Sequence, residues 1–344
     1  MSNLERDPAE SECGAEAVQD DALEFLEPRK VVLGRTTQVR RLLPNKNRRM
    51  IGAWCFVDHY GPDDLSARVD SYDAPGPRGM LVPPHPHTGL QTVSWLFEGE
   101  IEHRDSVGSH AIVRPGELNI MTSGNGIAHS EVSVPDGPSI LHGCQLWVAL
   151  PDDARASVPP AFNQYVDLPV ATFNGAKATV LIGSVAGVTS PAPAYTPLVG
   201  ADLAIDAGQT LALPLTPEFE YGVLVVAGRL RIGDLTLGHG EMVYLGTGRT
   251  EIDLSTEIET EIETEGEGVR CMLLGGAPFE ERLVMWWNFI GRSHADIVTA
   301  RADWQAAIDA GGNDRFAMVP GYDGDPLPAP GLPATELKPR GRSR

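Results

Sequence analysis

Glycine and proline, 37 and 28 of the 344 residues, cut the chain into short runs from Lys30 onward, and this punctuation constrains the fold more than any other feature. The runs are β-branched or aromatic: Val31-Val32-Leu33, Gly52-Ala-Trp-Cys-Phe-Val57, Gln91-Thr-Val-Ser-Trp-Leu-Phe97 and Cys144-Gln-Leu-Trp-Val148. Each has the length of a strand and lacks the sustained 3.6-residue period of a helix. Short strands at close spacing with turn residues between them point to an all-β sandwich or barrel. The sequence turns polar and proline-rich between Pro151 and Pro160, which predicts a boundary. Beyond it the pattern resumes with Ala178-Thr-Val-Leu-Ile182, Tyr221-Gly-Val-Leu-Val-Val226, Leu230-Arg-Ile232 and Glu241-Met-Val-Tyr-Leu245.

Four segments depart from this style. Residues 1–28 are rich in Glu, Asp, Ala and Ser with few large apolar side chains, which predicts a mobile acidic arm. Thr256 to Glu267 alternates Ile and Thr with Glu, a pattern for a solvated edge strand or loop. Ser293 and Asp296 can cap a helix whose Ile297, Ala300, Trp304 and Ile308 share one face, with Gly311-Gly312 to stop it. From Pro326 the tail is proline-rich and then basic at Lys338, Arg340, Arg342 and Arg344, as in an extended strap. The expected organisation is an arm over 1–28, a first domain over 29–155, and a second over 156–344 that carries the helix and tail.

Charge and cysteines narrow the chemistry. A formal net charge of −20 opposes binding to nucleic-acid phosphates, which requires clustered Lys and Arg. The cysteines at 13, 55, 144 and 271 form no CxxC pair, so they are expected to be reduced structural thiols in a cytoplasmic protein. No apolar stretch has the length of a membrane span.

Two histidine pairs carry the functional signal. His85 and His87 stand two residues apart, as do His129 and Glu131, so each pair lies on one face of an extended strand. If the two strands neighbour one another, three imidazoles and one carboxylate converge. That set suits one mononuclear divalent transition metal and can leave coordination positions open. A structural zinc site would be closed and would usually include thiolates, and no cysteine neighbours either pair. Fe(II) is favoured, with other divalent metals as alternatives.

The residues from His85 to Ser106, Arg114-Pro-Gly-Glu-Leu118 and Met121-Thr-Ser-Gly-Asn-Gly-Ile-Ala-His-Ser-Glu131 resemble the pirin family of the cupin superfamily. The resemblance extends from about Arg35 to the end, through Leu273-Leu-Gly-Gly-Ala-Pro278 and Met285-Trp-Trp-Asn-Phe289. It implies a bicupin, two jelly-roll-type β-barrels in tandem, with His85, His87, His129 and Glu131 as metal ligands in the first barrel. The second barrel, whose strands are expected to carry only His239, would be a metal-free packing or regulatory partner. The family commonly has Arg, Glu and Arg where this chain has Thr88, Gln91 and Asn125, so the charge around the pocket is expected to differ. Gln91 takes the place of the general cupin glutamate.

Other candidates have simpler readings. His103 can orient a ligand, but a hydrogen-bonded structural histidine is the default. Asp58-His59-Tyr60-Gly61-Pro62 reads as a turn at the end of a strand, and His110 and His142 have no partner at ligand spacing. The Gly124-Asn-Gly126 turn lacks the Lys-Ser/Thr of a phosphate loop. Trp286-Trp287 reads as buried core.

The resemblance implies an Fe(II)-dependent dioxygenase of the quercetin 2,3-dioxygenase type, acting on a flavonol-like or other enol, with Glu131 as the catalytic base. The alternative is an iron-dependent, redox-sensing interaction protein that regulates a transcription factor or enzyme without turnover. A cupin whose metal only stabilises the barrel is the third reading. A small-molecule substrate and a protein partner are both compatible with these readings; direct nucleic-acid or membrane binding is not expected.

Overall fold

The computed structural model describes residues 23–33, 37–66, 68–69, 76–77, 79–134, 136–256 and 268–343. Most of the acidic arm, the Ile/Glu alternation from 257 to 267 and Cys13 lie outside them.

The chain forms two β-barrels, each made of a seven-stranded and a four-stranded sheet. In the first barrel the large sheet runs Ala161–Tyr165, Leu118–Thr122, Leu90–Glu98, Ile140–Ala149, Trp54–Asp64, Thr37–Leu43 and Arg29–Leu33. Its small sheet runs His110–Val113, Ile101–Asp105, Ile127–Ser133 and Leu81–His87. The second barrel repeats the plan, with Glu24–Leu26, Met242–Leu245, Glu220–Ala227, Val269–Gly276, Leu198–Ile205, Ala176–Ile182 and Val170–Phe173 in its large sheet. Its small sheet holds Thr210–Pro214, Glu251–Thr256, Leu230–Ile232 and Leu235–Leu237. The all-β bicupin architecture is therefore as the sequence implies.

The two large sheets pack back to back, and the residue pattern shows why their strands are apolar throughout. In Glu220–Ala227, Val223 and Val225 fill the second barrel, while Leu224 and Val226 join the core shared with the first. A strand buried on both faces loses polar alternation. Trp54 pins the seam: its indole N–H lies 3.0 Å from the Val199 carbonyl and 3.2 Å from that of Gly275. A Cβ on Gly200 would come within 2.9 Å of the Trp54 ring, so only glycine leaves it room.

Edge strands are exchanged between the barrels. Glu24–Leu26, within the segment read as a mobile arm, pairs with Met242–Tyr244 of the second barrel because Leu26 has a core site to fill. Ala161–Tyr165, beyond the Pro-rich boundary, pairs with Leu118–Thr122 of the first.

The helix spans His294–Ala310, with a reciprocal capping box between Ser293 and Asp296 and a left-handed Gly311 at its end. Ile297, Ala300 and Trp304 pack with Trp286, Trp287, Phe289 and Phe316 against Ala128, a neighbour of His129. The tail straps this layer down: Leu327 N–H donates to the Pro84 carbonyl, and Arg342 pairs with the buried Glu220. Both ends of the strap thus reach elements that carry the first barrel's histidines or the seam between barrels.

Candidate metal centre

The first barrel has a polar interior and the second an apolar one. The second is filled by Ala, Val, Leu and Ile side chains such as Ala201, Leu203, Val223, Leu254 and Leu273. In the first, His85, His87 and His129 are fully buried and offer nitrogens that all lie within 4.8 Å of one another.

Strand pairing produces this convergence. Leu81–His87 and Ile127–Ser133 run antiparallel with His129 opposite His85, so the two HxH-type spacings face each other across one ladder. A register shift between His129 and Glu131 places Glu131 opposite Val82, and a bulge of this kind re-aims the side chains beside it. Glu131 is buried on the same strand, with Oε1 3.4 Å from the Ser94 hydroxyl, but stands outside the tight three-imidazole set.

Hydrogen bonds fix which nitrogens face inward. A carbonyl can only accept, so the 2.8 Å contact of His85 Nδ1 with Pro83 O puts the proton on Nδ1. Its Nε2 is left with a lone pair, buried without a hydrogen-bond partner. The Nε2 atoms of His87 and His129 stand 3.1 Å apart. Behind His129, its Nδ1 lies 3.5 Å from His103 Nδ1, and His103 Nε2 lies 3.1 Å from Asp105 Oδ2. The carboxylate fixes the proton on His103 Nε2, so His103 Nδ1 accepts from His129 and leaves His129 Nε2 free to ligate. His103 is therefore both hydrogen-bonded and positioning. Its ring also stacks on Phe162 with centroids 4.1 Å apart.

Electrostatics keep the rings neutral, the form a metal requires. Burial lowers His85 to about 4, against the Pro83 carbonyl and Glu131, which favour its charged form. Burial, and then the neighbouring histidines, hold His87 and His129 well below the ordinary histidine value. For Asp105, burial opposes ionisation, but hydrogen bonds from His103 and Ser109 outweigh it and keep the carboxyl below its ordinary value. Three converging neutral imidazoles, one a buried lone pair without a partner, fit a borderline divalent transition ion.

A second wall stands beside the histidines. Trp147 meets His87 edge to face at 5.2 Å and stacks on Phe56 at 4.2 Å, and the Arg41 guanidinium lies 4.4 Å above Phe56. Arg41 is held by Asp58 through contacts of 2.8 and 2.9 Å, both residues buried.

The chain's match to known families follows this geometry. A model described as Pirin covers residues 36–148, and one described as Pirin C-terminal cupin domain covers residues 200–308. The chain belongs to the pirin family. It is 42% identical over 311 residues to a Pseudomonas aeruginosa protein whose name assigns it, provisionally, to quercetin 2,3-dioxygenase; the match spans 90% of this chain and 91% of that one. A pirin-like protein of Caulobacter vibrioides is 37% identical over 275 residues, 78% of this pirin and 88% of the relative. A crystal structure of quercetin 2,3-dioxygenase from Acinetobacter baumannii superposes with a TM-score of 0.82 and 39% identity, covering 92% of this pirin and 97% of that chain.

Several sequence expectations are corrected. Asp58 and His59 are not turn residues: the Trp54–Asp64 strand runs through them, and both are fully buried. His142 does have a partner, since its Nε2 lies 2.9 Å from His59 Nε2. His239 is not on a strand but in the turn between Leu235–Leu237 and Met242–Leu245. Gln91 donates to Thr122 Oγ1 at 3.0 Å; by alternation it shares the side of Val93 and Trp95, which face the second barrel, while Ser94 faces Glu131. Thr88 accepts from Ile290 N–H through its carbonyl, and the Asn125 carbonyl accepts from Arg315 Nε at 2.8 Å. His110 is exposed and paired with Glu102, and Trp286 and Trp287 are buried as expected. Cys55, Cys144 and Cys271 are buried free thiols. Among the described residues no helix is long and apolar enough to cross a membrane.

Proposed function

We propose that the first barrel holds one mononuclear metal, Fe(II), on His85, His87, His129 and Glu131, and that the protein is a dioxygenase acting on a flavonol-like or other enol. The observation that carries the reading is the buried convergence of three imidazoles with the His85 Nε2 lone pair left without a partner. The provisional quercetin dioxygenase name of the Pseudomonas relative and the Acinetobacter structure support the substrate class.

When bound, such an ion supplies a Lewis acid and a source of electrons for chemistry with O2. The protein's own groups do the rest. Glu131 is a buried carboxylate next to the three imidazoles, placed to accept the enol hydroxyl proton on a carboxylate oxygen. Ser94 steadies it, sharing its hydroxyl between Gln145 Oε1 at 2.7 Å and Glu131 Oε1. The Tyr60 hydroxyl and the Gln145 side-chain nitrogen are buried without hydrogen-bond partners, and both suit a polyhydroxylated substrate. The Trp147 ring, stacked on Phe56 and edge to face with His87, makes the wall beside the histidines apolar.

Oxygen uptake by the Fe(II)-reconstituted full chain, with a panel of flavonols and simpler enols, tests this. Substrate-dependent uptake, lost in His129→Ala, is expected. A fully iron-loaded protein that consumes no oxygen with any of them overturns the enzyme reading and leaves the metal-dependent interaction protein.

A further inference from the structure

Six of the nine histidines fall into two groups of three, and only one group belongs to the centre above. The other is His59, His142 and His239, whose ring nitrogens also lie within 4.8 Å of one another. His59 and His142 come from adjacent antiparallel strands of the first barrel, Trp54–Asp64 and Ile140–Ala149. His239 comes from a turn of the second barrel.

The local structure aims these rings at one another. The register of Ile140–Ala149 shifts at His142 against both neighbouring strands. His59 lies on the face of its strand opposite Asp58 and Tyr60, and so turns toward the second barrel rather than into the first. In the turn, Glu241 caps the Gly238 N–H at 2.7 Å, and His239 Nδ1 lies 2.6 Å from the Val226 carbonyl. A carbonyl must accept, so the proton sits on His239 Nδ1 and the lone pair on Nε2. Gly240 has φ +79°, and a Cβ there would meet Arg40 Cδ at 2.4 Å, so the turn reaches this position only with glycine.

Two Nε2 atoms facing each other at 2.9 Å, those of His59 and His142, need an electrophile between them. A proton can serve that pair alone. It leaves His239 Nε2 unused, and His59 Nδ1 is buried without a partner. Burial, then the other two histidines, keeps His59 well below its ordinary value, and burial followed by His239 lowers His142 to about 4. A neutral imidazole carries one N–H and one lone pair, so His59 and His142 can each turn one nitrogen to a shared ion. The geometry matches the first centre closely: ring centroids are 4.9 to 5.8 Å apart here and 4.4 to 5.0 Å there. In a tetrahedral site with metal–nitrogen bonds of about 2.0–2.1 Å, ligand nitrogens stand roughly 3.3 Å apart, so the 2.9 Å pair has only to open by a few tenths.

The geometry points to a second metal site, in which His59, His142 and His239 bind one borderline divalent transition ion across the seam between the two barrels. It has no carboxylate and no thiolate among its ligands, and the exposed His239 leaves one side open to solvent. Two guanidinium groups face it. Arg270 is neutralised by Asp202, at 2.6 Å, while Arg40 donates to the Gly61 carbonyl at 3.1 Å and keeps its charge close. Arg40 therefore makes this site weaker than the first. Because its ligands come from both barrels, an ion here clamps them together.

Zinc titration of the metal-free full chain, followed by calorimetry, tests the site. The parent is expected to bind two equivalents, the second more weakly, with a further rise in thermal midpoint as the second binds. His239 is exposed, so His239→Ala should fold; it is expected to keep the tight equivalent and to weaken the second at least tenfold, with its thermal shift abolished. Cobalt(II) at the second site should show tetrahedral absorption bands that are absent in His239→Ala, and His110→Ala should change nothing. Binding of a single equivalent by the parent, or two unchanged equivalents in His239→Ala, would overturn the second site and leave the first untouched. Loss of the tight equivalent in His239→Ala would instead count against both assignments.

Discussion

His103 stands behind His129, with their Nδ1 atoms 3.5 Å apart and Asp105 holding the far side of the His103 ring at 3.1 Å. The line Asp105–His103–His129 fixes a tautomer two side chains from the carboxylate that sets it. Such outer partners of metal-ligating histidines typically contribute roughly 10- to 100-fold to metal affinity. His103→Phe keeps the stacking on Phe162 but removes the acceptor for His129 Nδ1–H. Iron affinity measured by chelator competition should fall by about that factor, and the metal-free protein should lose about 1–3 kcal/mol because buried Asp105 and His129 each lose a partner, so affinities are compared where both proteins are fully folded. Unchanged affinity would make His103 a packing residue only.

The base role proposed for Glu131 can be tested apart from metal binding. Glu131→Gln keeps the shape beside Ser94 and removes the base, so with iron supplied in excess turnover should drop by roughly 100-fold or more. Glu131→Ala should in addition lose iron during dialysis. If Glu131→Gln retained full turnover at saturating iron, the proton acceptor would lie elsewhere, and the buried Tyr60 hydroxyl would be the next group to substitute.

The three-histidine group of the first barrel was legible in the sequence because it depends on short-range parity. His85 and His87, then His129 and Glu131, keep two-residue spacings, and a single antiparallel ladder brings the three histidines together while its register shift sets Glu131 beside them. The helix was legible for the same reason, since Ser293, Asp296 and Gly311 act within one or two turns. The second histidine group has no such signature. His59 and His142 are 83 residues apart, and His239 arrives from the other barrel, so their meeting follows from how two large sheets stack. Asp58 through Pro62 carries turn residues, yet pairing with Thr37–Leu43 on one side and Ile140–Ala149 on the other keeps Asp58, His59 and Tyr60 in the strand, while Gly61, with φ +76°, marks an irregularity in the ladder. Gln91 shows the reverse case. Motif position puts it with the ligands, while strand alternation, readable from Ser94 three residues on, turns it toward the seam.

The buried thiols set an alkaline limit on stability. Burial raises Cys55 to about 12, and pushes Cys144 and Cys271 further up. An unfolded cysteine ionises near 8.5–9, so between about pH 9 and 12 the unfolded chain loses protons that the folded one keeps, and stability falls as pH rises. The stability from Cys55 is fully present below pH 9 and amounts to on the order of 4 kcal/mol, lost by pH 12. In Cys13→Ser, which removes the cysteine outside the described residues, a thiol reagent at pH 8 should label no cysteine in the native protein and three after unfolding in guanidinium. Denaturant midpoints should decline steadily above pH 9. Fast native labelling at any of the three would mean that the seam opens readily.

Trp54 decides whether the barrels unfold together. Its indole is fully buried in the core shared by both large sheets, and its N–H reaches two carbonyls of the second barrel. Trp54→Ala removes that packing and leaves those carbonyls without their donor, a cost of about 3–5 kcal/mol for a large aromatic in a core that relaxes only in part. Trp54→Phe keeps most of the volume and loses the donor, so about 1–3 kcal/mol is expected. If the seam couples the barrels, both variants should lower one common denaturant midpoint seen by fluorescence and by far-ultraviolet circular dichroism. Two separated transitions in Trp54→Ala, with one midpoint unmoved, would show that each barrel stands alone and that the shared core adds nothing to the stability of either.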